Sequence, residues 1–147
     1  MASSAINAPA QLTIHGVEYT LVKMIRKGGN GVVSLYQRQC LEQQSDQVAV
    51  KFIWRVKENV FVNEVTIQRI MSEAEPSLFI RYIDHEFRSP NEAFLVTEFV
   101  PHPSAWDYIA ELHRSGQHGL SEEQCKGVFV KLIQGLSAMH QRNIVHR

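Results

Sequence analysis

The chain has 147 residues, of which 44% are hydrophobic and 20% charged, as in a folded globular protein and unlike a disordered one. Fifteen basic residues balance fifteen acidic ones, so net charge predicts neither a nucleic-acid partner nor an anionic membrane surface. No apolar run approaches the roughly 20 residues of a membrane span. Cys40 and Cys125 form no metal or redox motif, which favours free thiols in a reducing, intracellular and cytoplasmic setting.

The N-terminal half is predicted to be a sheet with one inserted helix. Residues 1–16 lack the features of a secretion signal and are interpreted as a disordered leader. Segments rich in β-branched and aromatic residues predict five antiparallel strands, at residues 19–25, 32–37, 48–54, 79–87 and 93–99. Residues 59–71 fit a helix between the third and fourth strands. The prediction is an α+β fold whose sheet-bearing unit covers residues 17–100.

Helices are predicted beyond residue 100. Residues 106–113 form one, and Ser121 begins a longer one, because Gln124 three positions later completes a capping box. The apolar residues of this helix recur every three or four positions, at Cys125, Val128, Phe129, Leu132, Ile133, Leu136 and Met139. Residues 101–147 are therefore predicted to be a helical unit.

A glycine cluster, Gly28-Gly29-Asn30-Gly31, is the first candidate for ligand binding. Glycine lets backbone N–H groups approach a phosphate closely, although a plain hairpin turn explains the same residues. Val32 and Val33 stand where a Walker-type loop needs Lys and then Ser or Thr. A dinucleotide-binding loop would be followed by a helix, and here a strand follows.

Lys51 and Glu64 are charged residues at positions where the pattern is otherwise apolar. Lys51 lies in the run VAVKFIW and shares a strand face with Ala49 and Ile53, where an unpaired ammonium is costly. Glu64 lies in the middle of a predicted apolar helix face, with Val60, Ile67 and Met71. The two charges are predicted to pair, either as a structural salt bridge or as part of a site. A third reading has Lys51 extending its ammonium to solvent.

Taken together, these elements resemble the protein kinase family. The glycine-rich motif G-x-G-x-x-G-x-V is matched by Arg26, Gly28, Gly31 and Val33, with the first glycine replaced by Arg26. The resemblance implies that Lys51 of VAVK holds the α- and β-phosphates of ATP and that Glu64, in an αC-like helix, orients Lys51. If the first-glycine position requires a left-handed backbone, Arg26 costs about 1 to 2 kcal/mol there.

The segment FLVTEFV is similar to the kinase hinge. By this resemblance Thr97 is the gatekeeper, and Glu98 and Val100 offer backbone contacts to adenine. Val33 and Ala49 are implied to pack on the adenine ring. Protein kinases use ATP and Mg²⁺ and act on a hydroxyl of a protein substrate, so the same cofactors and kind of partner are expected here.

The final residues, NIVHR, resemble the start of the H-R-D catalytic loop. By this resemblance residues 17–100 are the kinase N-lobe and hinge, and residues 101–147 are the incomplete start of the C-lobe. His146 and Arg147 are thereby assigned to the catalytic-loop scaffold, and IVHR favours serine/threonine specificity. The catalytic aspartate, the metal-binding asparagine and D-F-G are expected beyond Arg147, so the 147 residues are predicted to be inactive alone. No metal ligand is assigned within them.

Two alternatives stay open from the sequence. One is a pseudokinase-like fragment that binds nucleotide or a partner without catalysis. The other is a phosphotransferase similar to aminoglycoside or choline kinases, which share the upper lobe but usually lack the full glycine loop. GGNGVV together with IVHR argues for the protein kinase side.

Overall fold

In the computed structural model, which describes residues 8–39 and 46–146, one antiparallel sheet precedes two of the helices. The six strands lie in the order β1-β2-β3-β4-β6-β5. Their bounds are β1 Gln11–Ile14, β2 Val17–Lys27, β3 Gly31–Arg38, β4 Asp46–Ile53, β5 Tyr82–Ser89 and β6 Glu92–Glu98. The helices are α1 Glu58–Ala74, between β4 and β5, then α2 Ala105–Arg114 and α3 Glu122–His140. The predicted α+β class is confirmed.

The sheet has one strand more than the five predicted. β1 lies within residues 1–16, so the prediction of a disordered leader is wrong for residues 11–14. Leu12 and Ile14 are buried, and His15 and Gly16 both have positive φ, as a tight hairpin turn into β2 requires. The signal was the alternation in QLTI followed by His-Gly. Residues 1–7 lie outside the described part of the chain.

Strand β4 separates the two faces of the sheet. Val48, Val50 and Phe52 point into one apolar cluster, where Phe52 stacks on Phe94 of β6 with ring centroids 5.1 Å apart. The alternate residues of β4 face the side on which α1 packs, and Ile53 contacts the cluster around Phe61. Lys51 therefore lies on the helix-covered face, as its strand position predicts.

Helix α1 buries a different stripe from the one predicted. Its buried residues are Phe61, Val65, Met71 and Ser72, whereas Val60 is exposed. Met71 was expected on the buried face and is there. The prediction was wrong for Val60 because Phe61 and Val65, spaced i and i+4, supply the contact with the sheet.

The fourth predicted strand begins later than expected. Residues 79–81 were included in it, but β5 starts at Tyr82. The N–H groups of Leu78 and Phe79 donate to the carbonyl of Glu75, which closes a turn after α1. Phe79 packs beside Met71 and Met139 rather than entering the sheet.

Helix α3 has the predicted cap. The Ser121 N–H donates to Gln124 Oε1 at 2.9 Å, and the Gln124 N–H donates to Ser121 Oγ at 3.2 Å. Its predicted apolar stripe is largely uncovered: Phe129 and Ile133 are 63% and 62% exposed, and Met139 is buried against Met71. Within residues 8–39 and 46–146, none of the helices combines the length and hydropathy needed to cross a bilayer.

Candidate functional site

A cleft of about 570 Å³ lies beneath the β2–β3 hairpin, between β4 and the start of α1. Its volume falls within the range of about 300 to 1,000 Å³ typical of small-molecule sites. It is lined by six residues that the kinase resemblance assigns to the site, namely Arg26, Gly28, Gly31, Val33, Lys51 and Glu64, and by Gly29 and Asn30 of the glycine cluster. The structure thus brings together the glycine cluster and the charged pair, which were predicted from separate patterns.

The charged pair lies at the inner wall of the cleft. Lys51 Nζ donates a hydrogen bond to Glu64 Oε1 at 2.5 Å, which joins β4 to α1. Both side chains are 39% exposed, so the expectation of a costly burial of Lys51 was too strong. In the sheet Lys51 pairs with Val33 of β3 and Leu95 of β6, and Leu95 is buried against the helix side. The pair is fixed by neighbours yet open to a ligand.

The glycine hairpin is held by backbone contacts. The Gly28 N–H donates to the Gly31 carbonyl at 2.8 Å, and the Trp54 N–H donates to the Asn30 carbonyl at 3.0 Å. A Cβ on Gly31 would lie 2.9 Å from the Phe52 carbonyl oxygen, closer than such atoms approach in proteins. At this position glycine is needed for close approach of the hairpin to β4, not for an unusual φ angle.

Arg26, at the position of the first motif glycine, does not have the left-handed backbone considered above. Its φ is not positive, and it pairs with Val33 in the β2–β3 ladder after an irregularity between Met24 and Arg26. The steric cost of 1 to 2 kcal/mol does not apply. An arginine is accommodated here because the chain is still in a strand.

The charged residues that line the cleft are predominantly basic. Besides Arg26 and Lys51 they include Arg55 and Lys57, against the single carboxylate of Glu64. A cleft lined by one sign of charge concentrates ions of the opposite sign, so an anionic ligand is favoured. Arg55 and Lys57 were not among the predicted site residues. The signal that could have identified them is the sequence RVK, one residue after the end of β4.

Apart from Val33, the predicted adenine contacts lie outside the lining of the cleft. Ala49 is two positions from Lys51 on β4 and pairs with Thr97 of β6, so both belong to the sheet face that carries Lys51. Glu98 accepts a hydrogen bond at Oε1 from the Arg81 N–H at 2.8 Å, and its own N–H donates to the Arg81 carbonyl at 3.0 Å. Val100 is exposed in the segment that leads to α2.

Of the predicted catalytic-loop residues, only His146 lies within the described part of the chain, and it is not in the lining of the cleft. His146 is exposed after the end of α3, and Arg147 lies outside the described residues. Among residues 8–39 and 46–146, no three His, Cys, Asp or Glu side chains are grouped to hold a metal ion. Cys40 also falls outside the described ranges, whereas Cys125 is a free thiol on α3.

Comparisons with a family model and with curated proteins point to the same family. The model of the protein kinase domain family matches residues 19–147. The chain is 30% identical over 131 residues to the "Probable serine/threonine-protein kinase zyg-1" of Caenorhabditis elegans, covering 88% of this chain and 17% of the relative. It is 29% identical over 136 residues to mitogen-activated protein kinase 1 of Oryza sativa subsp. japonica, covering 84% and 30% respectively.

A third relative is C01C4.3 of Caenorhabditis elegans, whose name also describes a serine/threonine-protein kinase. It is 28% identical over 133 residues, which cover 88% of this chain and 31% of the relative. The chain spans only 13% to 34% of the length of the curated relatives that it matches. With the family match extending over β2 through residue 147, the chain belongs to the protein kinase domain family.

Proposed function

We propose that this chain is the ATP-binding portion of a protein kinase that phosphorylates serine or threonine hydroxyls of a protein substrate. The observation that carries the proposal is the Lys51–Glu64 pair, which faces a glycine hairpin across a basic cleft. Serine/threonine specificity is supported by the names of the similar proteins.

The described residues fit a bound ATP molecule. Gly31 lets the hairpin lie close to β4 where a Cβ would be blocked by the Phe52 carbonyl, and the basic lining suits a triphosphate. When bound, ATP supplies the γ-phosphoryl group that is transferred. Lys51 would bind the α- and β-phosphates, with its ammonium held in position by Glu64. Ala49 and Thr97 extend the same sheet face toward the proposed adenine contacts at Glu98 and Val100.

We propose that nucleotide binding and phosphoryl transfer depend on different residues. Transfer in protein kinases also uses an aspartate that accepts the substrate proton and two residues that bind Mg²⁺, all beyond the H-R of the catalytic loop. The 147 residues contain none of these three. We infer that the 147 residues bind ATP and that phosphoryl transfer requires the aspartate as well. We also propose a cytoplasmic setting for the protein.

Isothermal titration of the 147-residue chain with ATP and Mg²⁺ tests the proposal. We expect saturable binding that ADP competes for, since Lys51 is proposed to contact phosphates that both nucleotides share. A parallel assay with radiolabelled ATP and a serine-containing protein should show no transfer above background. Absence of saturable binding contradicts the nucleotide site, and transfer by this chain contradicts the separation of binding from chemistry.

A further inference from the structure

One ion pair connects the glycine hairpin to the helix after the hinge. Arg26 Nη2 donates to both carboxylate oxygens of Asp107, each at 3.3 Å, although the two residues are 81 positions apart. Arg26 lines the cleft near the end of β2, and Asp107 lies in the first turn of α2. The contact therefore runs from the roof of the cleft to α2.

The Asp107 carboxylate is fixed in place by its own helix. Ser104, the residue before α2, donates from Oγ to Asp107 Oδ2 at 2.6 Å and accepts from the Asp107 N–H at 3.2 Å. The hydrogen bond from Ser104 lowers the pKa of Asp107, and the charge of Arg26 lowers it further. At neutral pH the carboxylate is thus an ionised acceptor held toward the hairpin.

The hairpin end has few other anchors. Residues 25–29 are exposed. The backbone contacts between the hairpin and β4 are on its β3 side, where Asn30 accepts from the Trp54 N–H and Gly31 pairs with Ile53. The β2 side of the hairpin, by contrast, reaches α2 through Arg26. Movement of this end away from α2 would have to break the Arg26–Asp107 contact.

We propose that Arg26 and Asp107 form a latch that holds the glycine hairpin toward α2, which makes Asp107 a positioning residue of the nucleotide cleft. This inference rests on the proposed ATP site. The two side chains are 58% and 53% exposed, and an ion pair of that exposure shifts an equilibrium by at most about fivefold. A latch of this strength opens readily for ligand exchange and weakens with salt.

Hydrogen exchange of the backbone amides of residues 26–33, measured without nucleotide, tests the latch directly. Asp107→Asn should speed exchange there by up to about fivefold at low salt, and the difference should largely disappear in 0.5 M salt, where the Debye length is only about 4 Å. Glu111→Gln is the matched control, because it removes the Glu111–Arg114 pair on the same helix without touching the hairpin. Equal exchange in Asp107→Asn and the parent chain overturns the latch.

Charge reversal distinguishes the loss of the Arg26–Asp107 ion pair from an effect of the substitution on α2 itself. Asp107→Lys alone should open the hairpin by placing two cations together, and Arg26→Glu added to it should restore slow exchange. Comparing the double variant with Asp107→Lys holds the effect of a lysine in the first helical turn constant. Failure of the second substitution to restore protection overturns the proposal.

The positioning role of Asp107 is tested by the rate of nucleotide dissociation. A fluorescent ATP analogue should dissociate up to about fivefold faster from Asp107→Asn than from the parent chain or from Glu111→Gln. Unchanged dissociation overturns the positioning role. If no variant, including the parent, binds nucleotide while the exchange data show the latch, the proposed function fails and the latch stands.

Discussion

Lys51 Nζ and Glu64 Oε1 lie 2.5 Å apart and connect the central strand β4 to helix α1 at the wall of the cleft. Because both side chains are 39% exposed, the pair is not a buried ion pair and contributes little to folding. Its position at the cleft, facing the glycine hairpin, is consistent with the role proposed for it in binding ATP.

Glu64→Gln should therefore affect ligand binding and stability to different extents. We expect a change of less than about 1 kcal/mol in the free energy of unfolding. The affinity for ATP should fall about tenfold, because Lys51 loses the carboxylate that orients it. Chemical denaturation and calorimetric titration measure the two quantities. Glu58→Gln, in the first turn of the same helix, is the control, and equal loss of affinity in both variants would argue against the role of Glu64.

Gly31→Ala should destabilise the hairpin, whereas Gly29→Ala should not. The new Cβ at position 31 meets the Phe52 backbone carbonyl at 2.9 Å, but nothing lies within 4 Å of a Cβ at position 29. Overpacking against backbone costs about 1 to 3 kcal/mol, and a surface substitution changes stability by about 0.5 kcal/mol or less. Urea unfolding of the two variants measures the difference. Similar midpoints for both would show that the hairpin tolerates a side chain at position 31.

Acidification should destabilise the fold through His85. Burial lowers the pKa of His85, with Asp84 acting in the opposite direction, and Tyr82 Oη lies 2.6 Å from its Nδ1. The unfolded chain, with a histidine pKa of about 6.5, then binds more protons than the folded one. This contribution to stability is present above about pH 6.5 and is lost as the pH falls through the folded pKa.

Thermal melts at pH 7.5 and 5.5 measure that contribution. The fall in the melting midpoint should be smaller in His85→Gln than in the parent chain, because glutamine has no proton to gain. His113→Gln, at an exposed position on α2, should behave like the parent. An identical fall in His85→Gln and the parent would exclude His85 as the source.

The uncovered face of α3 should make the 147-residue chain self-associate. Phe129, Leu132 and Ile133 are each more than half exposed, and full burial of such a side chain is worth about 1.5 to 3 kcal/mol. Sedimentation velocity should show a coefficient that rises with concentration, and Phe129→Ser with Ile133→Ser should reduce the rise. Val22→Ser, at an exposed position of β2, is the control. A monodisperse monomer at all concentrations would contradict this prediction.

The sequence predicted the parts of the site that depend on local pattern. Lys51 and Glu64 were identifiable because each is a charge in an apolar strand or helix pattern, and such charges in proteins usually have a partner. The capping box at Ser121 was identifiable because both of its residues are within one helical turn.

Other features depend on contacts that no local pattern contains. The pairing of Arg26 with Asp107 joins residues 81 positions apart, and its geometry follows from the placement of α2. Strand β1 was missed because four residues of alternation are a weak signal until their partner strand is known. The buried stripe of α1 was misjudged at Val60 because Phe61, one position away, has the larger side chain to bury.

Calorimetric titration of ATP into Lys51→Met, beside Lys23→Met, tests the central claim most directly. Both substitutions remove an ammonium, but only Lys51 lines the cleft, whereas Lys23 lies on β2 outside it. The account predicts that Lys51→Met loses detectable ATP binding, a fall of at least about tenfold in affinity, and that Lys23→Met binds as the parent chain does. Unchanged affinity in Lys51→Met would contradict the assignment of this cleft as the ATP site.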